Sequence, residues 1–168
     1  MASILLLAAA VPAHAEKLSF DHRLYPPLKA ALDSGDADRV AYDASNPRYV
    51  IDLIAITGKS AANWSEALEI IARTPEKKVR TARDWVAELR GQAGGSCSTS
   101  QTTIAEDRAS ITFERHSPNC ATARAETTIT RVLAGKRSLF AVSFLLKGAP
   151  DEATRRQWLA LLASAHIE

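Results

Sequence analysis

The chain has 168 residues, of which 46% are hydrophobic and 24% are charged. This composition is typical of a folded protein of one domain and disfavours disordered and repeat architectures. The formal net charge of +2 is too small to indicate a nucleic-acid partner, and we expect none.

The first fifteen residues predict a secretory signal peptide. Residues 4–11 form an unbroken apolar run, and Ala13-His14-Ala15 has the small-x-small pattern of a cleavage site. The run is shorter than the ~20 residues that span a bilayer, so we expect no transmembrane segment. No Lys or Arg precedes the run, which departs from the usual pattern, and no cysteine follows the cleavage site, as a lipid anchor would require. These features predict a soluble periplasmic or secreted protein that begins at Glu16.

Residues 16–48 are predicted to form an N-terminal extension, and residues 49–168 a single domain. The extension is rich in polar and turn-forming residues. Pro26-Pro27 is expected to prevent regular structure locally, because proline has no backbone N–H and restricts the residue before it. A short helical segment is compatible with residues 28–32.

The first half of the domain is predicted to contain strands and one helix. Residues 49–57 are apolar on both alternating faces, which predicts a central strand. Residues 63–73 allow two interpretations, because their apolar side chains recur at helical spacing but also alternate as in a strand. Residues 74–90 predict a helix, with Thr74 as the N-cap and Pro75 in the first turn.

The second half reads as an antiparallel meander that ends in a helix. Strands are predicted at residues 110–114, 126–133 and 139–147, and residues 96–103 read as a flexible loop or an irregular edge strand. A closing helix is expected to begin at residues 150–152, with Trp158 on its buried stripe. The predicted class is α+β, with an antiparallel β-sheet that is covered by two main helices.

Cys97 and Cys120 are predicted to form one disulfide. An even number of cysteines in an exported chain favours pairing, and the 22 residues between them give a loop whose closure contributes about 3 kcal/mol. Their spacing is not that of a C-x-x-C redox motif. Together with scattered histidines they do not form a zinc pattern, so we expect no metal and no cofactor.

The sequence predicts no catalytic residues. His116 with Ser117 or Ser110, oriented by Asp107, is a base–nucleophile arrangement that the residue types permit. Such a triad is defined by geometry and not by proximity in sequence. Histidines in surface turns are far more common than catalytic ones, and the same holds for the other histidines of the mature chain, at positions 22 and 166.

Basic residues around the middle helix are the candidate partner-binding site. Lys77, Lys78, Arg80 and Arg83 indicate an anionic surface as partner, or else only a solvated helix surface. The three tryptophans at positions 64, 85 and 158 are expected to lie mainly in the core, although tryptophan is also enriched at interfaces.

The order of elements in residues 49–168 resembles the PsbP-like α/β sandwich. The similarity is carried by Gly135–Phe140 entering a strand and by Pro150–Glu152 opening a helix with Trp158. The chain also resembles small exported bacterial proteins of unknown function, which pair an Asn-Trp-Ser-Glu segment, here residues 63–66, with two cysteines around a hairpin. This resemblance favours the strand interpretation of residues 63–73. It implies an accessory or binding module and provides no catalytic set.

The sequence therefore predicts an exported, non-enzymatic binding or accessory protein, with an envelope protein as its partner. Two alternatives remain open. One is a small periplasmic hydrolase whose site the sequence does not show, and the other is an envelope inhibitor or immunity protein.

Overall fold

The computed structural model describes residues 16–92, 97–120 and 123–168. Its strands and helices within these ranges follow one another along the chain with short connections. They are β1 (Leu18–Phe20), α1 (Tyr25–Ser34), β2 (Val40–Asp43), β3 (Tyr49–Ser60), β4 (Asn63–Arg73), α2 (Ala82–Gln92), β5 (Ser100–Glu106), β6 (Ser110–His116), β7 (Thr127–Ala134), β8 (Leu139–Leu146), α3 (Glu152–Ser164) and β9 (Ala165–Ile167).

A seven-stranded antiparallel sheet, in the order β2-β3-β4-β8-β7-β6-β5, forms the centre of the fold. The chain builds it as two meanders, β2 to β4 and β5 to β8, which meet where β8 pairs with β4. The short strands β1 and β9 form a separate antiparallel ribbon. Long β-branched and apolar stretches occupy the central strands, because these strands are covered on both faces.

One face of the sheet packs against α1, α3 and the β1–β9 ribbon, and we call it the α1/α3 face. It holds the larger apolar cluster of the molecule, together with Arg131 of β7, whose guanidinium donates to the Leu162 and Ala163 carbonyls of α3. Phe144 of β8 is fully buried and stacks on Trp158 of α3, with ring centroids 4.3 Å apart. Stacked aromatic pairs of this kind bury large apolar areas and dominate core energetics.

The opposite face, which we call the α2 face, is covered by α2 at one end only. Trp85 and Val86 of α2 pack there against a smaller apolar cluster that includes Ile111, Val132 and Leu139. Because α2 has only 11 residues, the face beyond its C-terminal end has no helix over it in the part of the chain that the structure describes.

The predicted sheet covered by two main helices is wrong. Strands make up 44% of the structure and helices 23%, so the fold is mostly β. Two causes account for the difference. The observed middle helix, Ala82–Gln92, is shorter than the predicted residues 74–90. Additional strands form as well: β1 and β2 in the polar extension, β5 in the segment that was compatible with a loop or an irregular edge strand, and β9 directly after the closing helix.

The middle helix begins at Ala82 because a capping box at Thr81 and Asp84 ends the preceding irregular segment. The Thr81 Oγ1 accepts a hydrogen bond from the Asp84 N–H at 3.1 Å, and the Asp84 carboxylate accepts from the Thr81 N–H at 2.9 Å. Reciprocal bonds of this type satisfy the free N–H groups of the first turn. The predicted start at Thr74 and Pro75 is therefore wrong.

Residues 63–73 form strand β4, which confirms the strand interpretation. Their apolar side chains are buried on both faces of the sheet, with Leu68 and Ile70 on the α1/α3 face and Ala67 on the other. A strand with two covered faces has no clean alternation, and this is why its pattern also matched helical spacing.

Residues 16–48 share the core of residues 49–168. Phe20 and Leu28 belong to the cluster on the α1/α3 face. The prolines that were expected to prevent regular structure lie instead in the first turn of α1, where a missing N–H is tolerated. The Glu16 carboxylate accepts hydrogen bonds from the backbone N–H groups of residues 136, 137 and 138. These bonds lower the pKa of Glu16, the Arg137 N–H most of all.

Candidate binding site on the sheet

The part of the α2 face over which the described residues place no helix contains a cavity of about 290 Å³, which we call the sheet cavity. Five strands, β4 to β8, contribute residues to its lining, and residues that follow Cys120 form one wall. It is lined by Glu69, Ile71, Leu89, Gln101, Phe113, Arg115, Arg124, Ala125, Thr128, Thr130, Ala141, Ser143 and Leu145.

The register of the sheet brings polar side chains from different strands together on this floor. Ser143 of β8 lies directly between Glu69 of β4 and Thr130 of β7. In the neighbouring row, Thr128 of β7 lies opposite Arg115 of β6. Directly opposed residues of an antiparallel pair have Cβ atoms about 5 Å apart, so one small molecule can contact both.

The hydroxyl groups of the floor differ in how they are satisfied. Thr130 Oγ1 and Ser143 Oγ are hydrogen-bonded to each other at 2.9 Å. The Thr128 Oγ1 is buried and has no hydrogen-bond partner in the described part of the chain, and Thr128 as a whole is 6% exposed. A buried hydroxyl without a partner costs about 1–3 kcal/mol, so Thr128 brings an unsatisfied hydrogen-bonding group to the cavity floor.

Among the described residues that line the cavity, Glu69 carries the only carboxylate, and it is ion-paired with Arg124. Burial raises the pKa of the Glu69 carboxyl, and the positive charge of Arg124 opposes this shift, as Arg115 does more weakly. The ion pair places one charge of each sign at the cavity wall. It leaves the second guanidinium, that of Arg115, without a carboxylate in ion-pair distance within the described ranges.

The disulfide between Cys97 and Cys120 is confirmed, with their Cα atoms 5.5 Å apart. It joins the segment before β5 to the segment after β6, beside the pair Ser100 and His116 at the open end of the β5–β6 hairpin. Because Arg124 follows Cys120 by four residues, the bond also restrains the chain that forms the cavity wall.

The four predicted partner-binding residues lie outside the sheet cavity. Lys77 and Lys78 occupy the turn between the bridged residues Glu76 and Val79, before α2. Arg83 is ion-paired with Glu106 of β5. The side chains of Lys77, Lys78 and Arg80 are exposed and make no ion pair among the described residues. All four side chains are therefore exposed to solvent, and three of them make no ion pair among the described residues.

The structure does not assemble the triad that the sequence permitted. Asp107 accepts a hydrogen bond from Ser110 Oγ at 2.7 Å, but His116 lies at the other end of β6, about 20 Å away at the strand rise of ~3.3 Å per residue. Ser117 Oγ instead pairs with Thr99 Oγ1. The His116 Nδ1 contacts the Thr127 hydroxyl at 3.2 Å, and that hydroxyl donates to a backbone carbonyl.

The histidines at positions 22 and 166 also lack a serine hydroxyl partner within the described residues. His22 accepts a hydrogen bond from the Leu24 N–H. His166 lies beside Asp21 and Glu168, and its hydrogen bond with the Ser164 carbonyl is the main cause of its raised pKa. All three tryptophans are buried, as expected for core residues.

Across residues 16–92, 97–120 and 123–168, no three His, Cys, Asp or Glu side chains come close enough to hold a metal ion. No helix in those ranges has both the length and the apolar character needed to cross a membrane. The predicted signal peptide, residues 1–15, lies outside the described residues.

Sequence reasoning missed every polar residue of the sheet cavity. The available signal was a polar side chain inside an otherwise apolar strand: Glu69 within Leu-Glu-Ile-Ile, and Ser143 within Val-Ser-Phe-Leu. Such residues become interpretable only when the register shows that they share one face. A comparison of the sequence with protein-family models finds no matching family, and a comparison with curated proteins finds no match.

Proposed function

We propose that the chain is an exported, non-enzymatic binding protein whose recognition site is the sheet cavity. The observation that carries the proposal is a buried sheet face lined by hydroxyl, amide and charged groups where apolar side chains would complete a core. Small-molecule sites are typically concave, with apolar walls and a few converging polar groups. The sheet cavity has this form and lies near the lower end of the usual size range, so it suits a small ligand.

The chemistry of the lining supports binding over catalysis. The cavity's hydroxyl groups are not paired with a base, because Thr130 and Ser143 bond to each other. Its one carboxylate, Glu69, is held by Arg124. A nucleophilic mechanism needs a nucleophile and a base within hydrogen-bond reach, and the described lining brings no such pair together.

Export is supported by two independent features. The apolar run and cleavage pattern of the first fifteen residues are those of a signal peptide. The disulfide is of a kind that persists in oxidising compartments. Intact mass measurement of the protein from its native cells should show a chain that begins at Glu16 and has lost two hydrogens at the cysteines. A full-length chain with two free thiols would contradict export.

The binding proposal is tested by closing the cavity. Gln101 of β5 lines the cavity and is half-buried, so Gln101→Trp should fill its mouth. Thr102→Trp is the matched control, because the next residue of the strand points to the opposite side and is exposed. Each purified protein is incubated with the dialysable fraction of the native envelope extract and measured by native mass spectrometry.

We expect a low-mass adduct on the wild type and on the Thr102→Trp variant, and none on Gln101→Trp. An adduct that survives on Gln101→Trp would contradict the assignment of the cavity. The absence of an adduct on all three proteins would contradict the proposed function.

A second candidate function is docking on an anionic envelope protein through the basic segment before α2. It is favoured because Lys77 and Lys78 are exposed and make no ion pair among the described residues. Crosslinking in intact cells should then give a defined conjugate that is lost in the Lys77→Glu/Lys78→Glu variant. The conjugate should persist in a control with Arg23→Glu/Arg48→Glu, which changes charge equally at two other exposed positions. Equal yields in both variants would contradict docking through this segment.

A further inference from the structure

The charge of the sheet cavity determines what kind of ligand it can take. Its lining contains two guanidinium groups, Arg115 and Arg124, and one carboxylate, Glu69. Because Glu69 and Arg124 form an ion pair, the cavity presents one uncompensated positive charge, that of Arg115. A buried or half-buried cation of this kind favours a ligand that carries one negative charge.

The uncharged groups define a second requirement. The buried hydroxyl of Thr128 has no partner in the described chain and lies directly opposite Arg115 in the sheet register. Gln101 lies opposite Arg115 on its other side, in β5. A ligand held by Arg115 would therefore lie between a hydroxyl and an amide, both of which can donate to and accept from hydroxyl groups of the ligand.

We propose that the sheet cavity binds a small carboxylate that also carries hydroxyl groups, with its carboxylate on Arg115 and its hydroxyl groups on Thr128 and Gln101. A carboxylate matches the single uncompensated charge better than a phosphate, which carries close to two charges at neutral pH. The planar fork of the guanidinium also matches the two carboxylate oxygens. This inference rests on the proposed function of the cavity as a binding site.

The test uses a matched set of six-carbon probes with the full exported chain. Gluconate has both the carboxylate and the hydroxyl groups, sorbitol lacks the carboxylate, and hexanoate lacks the hydroxyl groups. Isothermal titration calorimetry should show saturable binding of gluconate, and binding of sorbitol and hexanoate that is at least about tenfold weaker. Inorganic phosphate should bind more weakly than gluconate.

Two variants test the assigned contacts. Arg115→Gln should weaken gluconate binding by about tenfold or more, since it removes a charged hydrogen bond, while Arg108→Gln at an exposed turn should not change it. Thr128→Val should weaken binding by about fivefold without unfolding the chain, because valine has nearly the same shape as threonine. A thermal melt of each variant checks that it remains folded.

Three results would overturn the inference: no saturable binding of gluconate, equal binding of sorbitol, or unchanged binding in a folded Arg115→Gln variant. These outcomes are separable from failure of the proposed function. If Gln101→Trp abolishes an adduct from the envelope extract but gluconate does not bind, the cavity is a binding site and the assigned ligand class is wrong.

Discussion

The two faces of the sheet use the same strands for different chemistry. On β8, Val142 and Phe144 point to the α1/α3 face, while Ser143 between them points to the sheet cavity. On β7, Ile129 points to the first face and its neighbours Thr128 and Thr130 to the second. The faces are thus built from alternate residues of the same short segments.

This difference is not one of solvent exposure. Ser143 is 5% exposed and Phe144 is fully buried, so both side chains have left water almost completely. Burial of Phe144 is favourable because it removes apolar area from water, whereas a buried hydroxyl is at best neutral when it is hydrogen-bonded. Apolar burial on the α1/α3 face therefore stabilises the fold, while the hydrogen-bonded hydroxyl groups on the other face add little to its stability.

The strongest way to test this comparison is to truncate one side chain on each face of β8. Phe144→Ala should lower the free energy of unfolding by about 3–5 kcal/mol, because it leaves a cavity against Trp158. Ser143→Ala should cost only about 1 kcal/mol, through loss of its bond with Thr130. Urea unfolding followed by circular dichroism measures both. Equal losses would show that the two faces contribute alike.

Removal of the disulfide is expected to have the next largest effect. Cys97→Ser/Cys120→Ser opens a loop with a sequence separation of 23, and the chain-entropy model gives a loss of about 3 kcal/mol. The remaining stability should still come from the α1/α3 face, so the variant should keep a cooperative urea transition. A variant that unfolds without a cooperative transition would show that the core of the α1/α3 face is insufficient by itself.

Much of the fold could be predicted from the sequence where the pattern is local. Asp151 accepts a hydrogen bond from the Thr154 N–H, as its position before a helix predicts. Strands β6, β7 and β8 form where apolar runs in the sequence predict strands. The start of α2 was misplaced because Thr74-Pro75 and Thr81 are both acceptable helix starts. Only the latter has a carboxylate, Asp84, three residues further on that completes the capping box.

The sheet cavity could not be predicted in this way. Glu69 and Arg124 are 55 positions apart in the chain, and Ser143 reaches them only through the pairing of β8 with β4. A sequence shows which face of its own strand a residue occupies, but not which strand becomes the neighbour. The predicted partner-binding residues form a cluster of charge that is local in the sequence. The polar residues of the cavity floor are dispersed along the chain and give no such local signal.

Two threonines of β7 test the comparison further, because the same substitution should change the free energy of unfolding in opposite directions at the two positions. Thr128→Val should raise the free energy of unfolding by about 1 kcal/mol, since it removes a buried hydroxyl without a partner in the described residues. Thr130→Val should lower it by about 1 kcal/mol, since it leaves the Ser143 hydroxyl unpaired. Thermal and urea unfolding of both variants provide the measurement. Destabilisation by Thr128→Val would show that this hydroxyl is satisfied.

The smallest expected effect concerns the apolar end of the α2 face, where the capping box fixes the start of α2. Hydrogen bonds to the Asp84 carboxylate, that of the Arg80 backbone N–H most of all, lower the pKa of Asp84. The contribution of Asp84 to stability is therefore complete above the pKa of an unfolded aspartate, about 3.9, and is lost as the pH falls through the lower pKa of the folded state. Wild type should therefore be more stable than Asp84→Asn above about pH 5. The difference in free energy of unfolding between the two proteins should become smaller at lower pH, which urea unfolding at a series of pH values measures. A gap that is independent of pH would mean that the cap acts through the shape of its side chain and not through its charge.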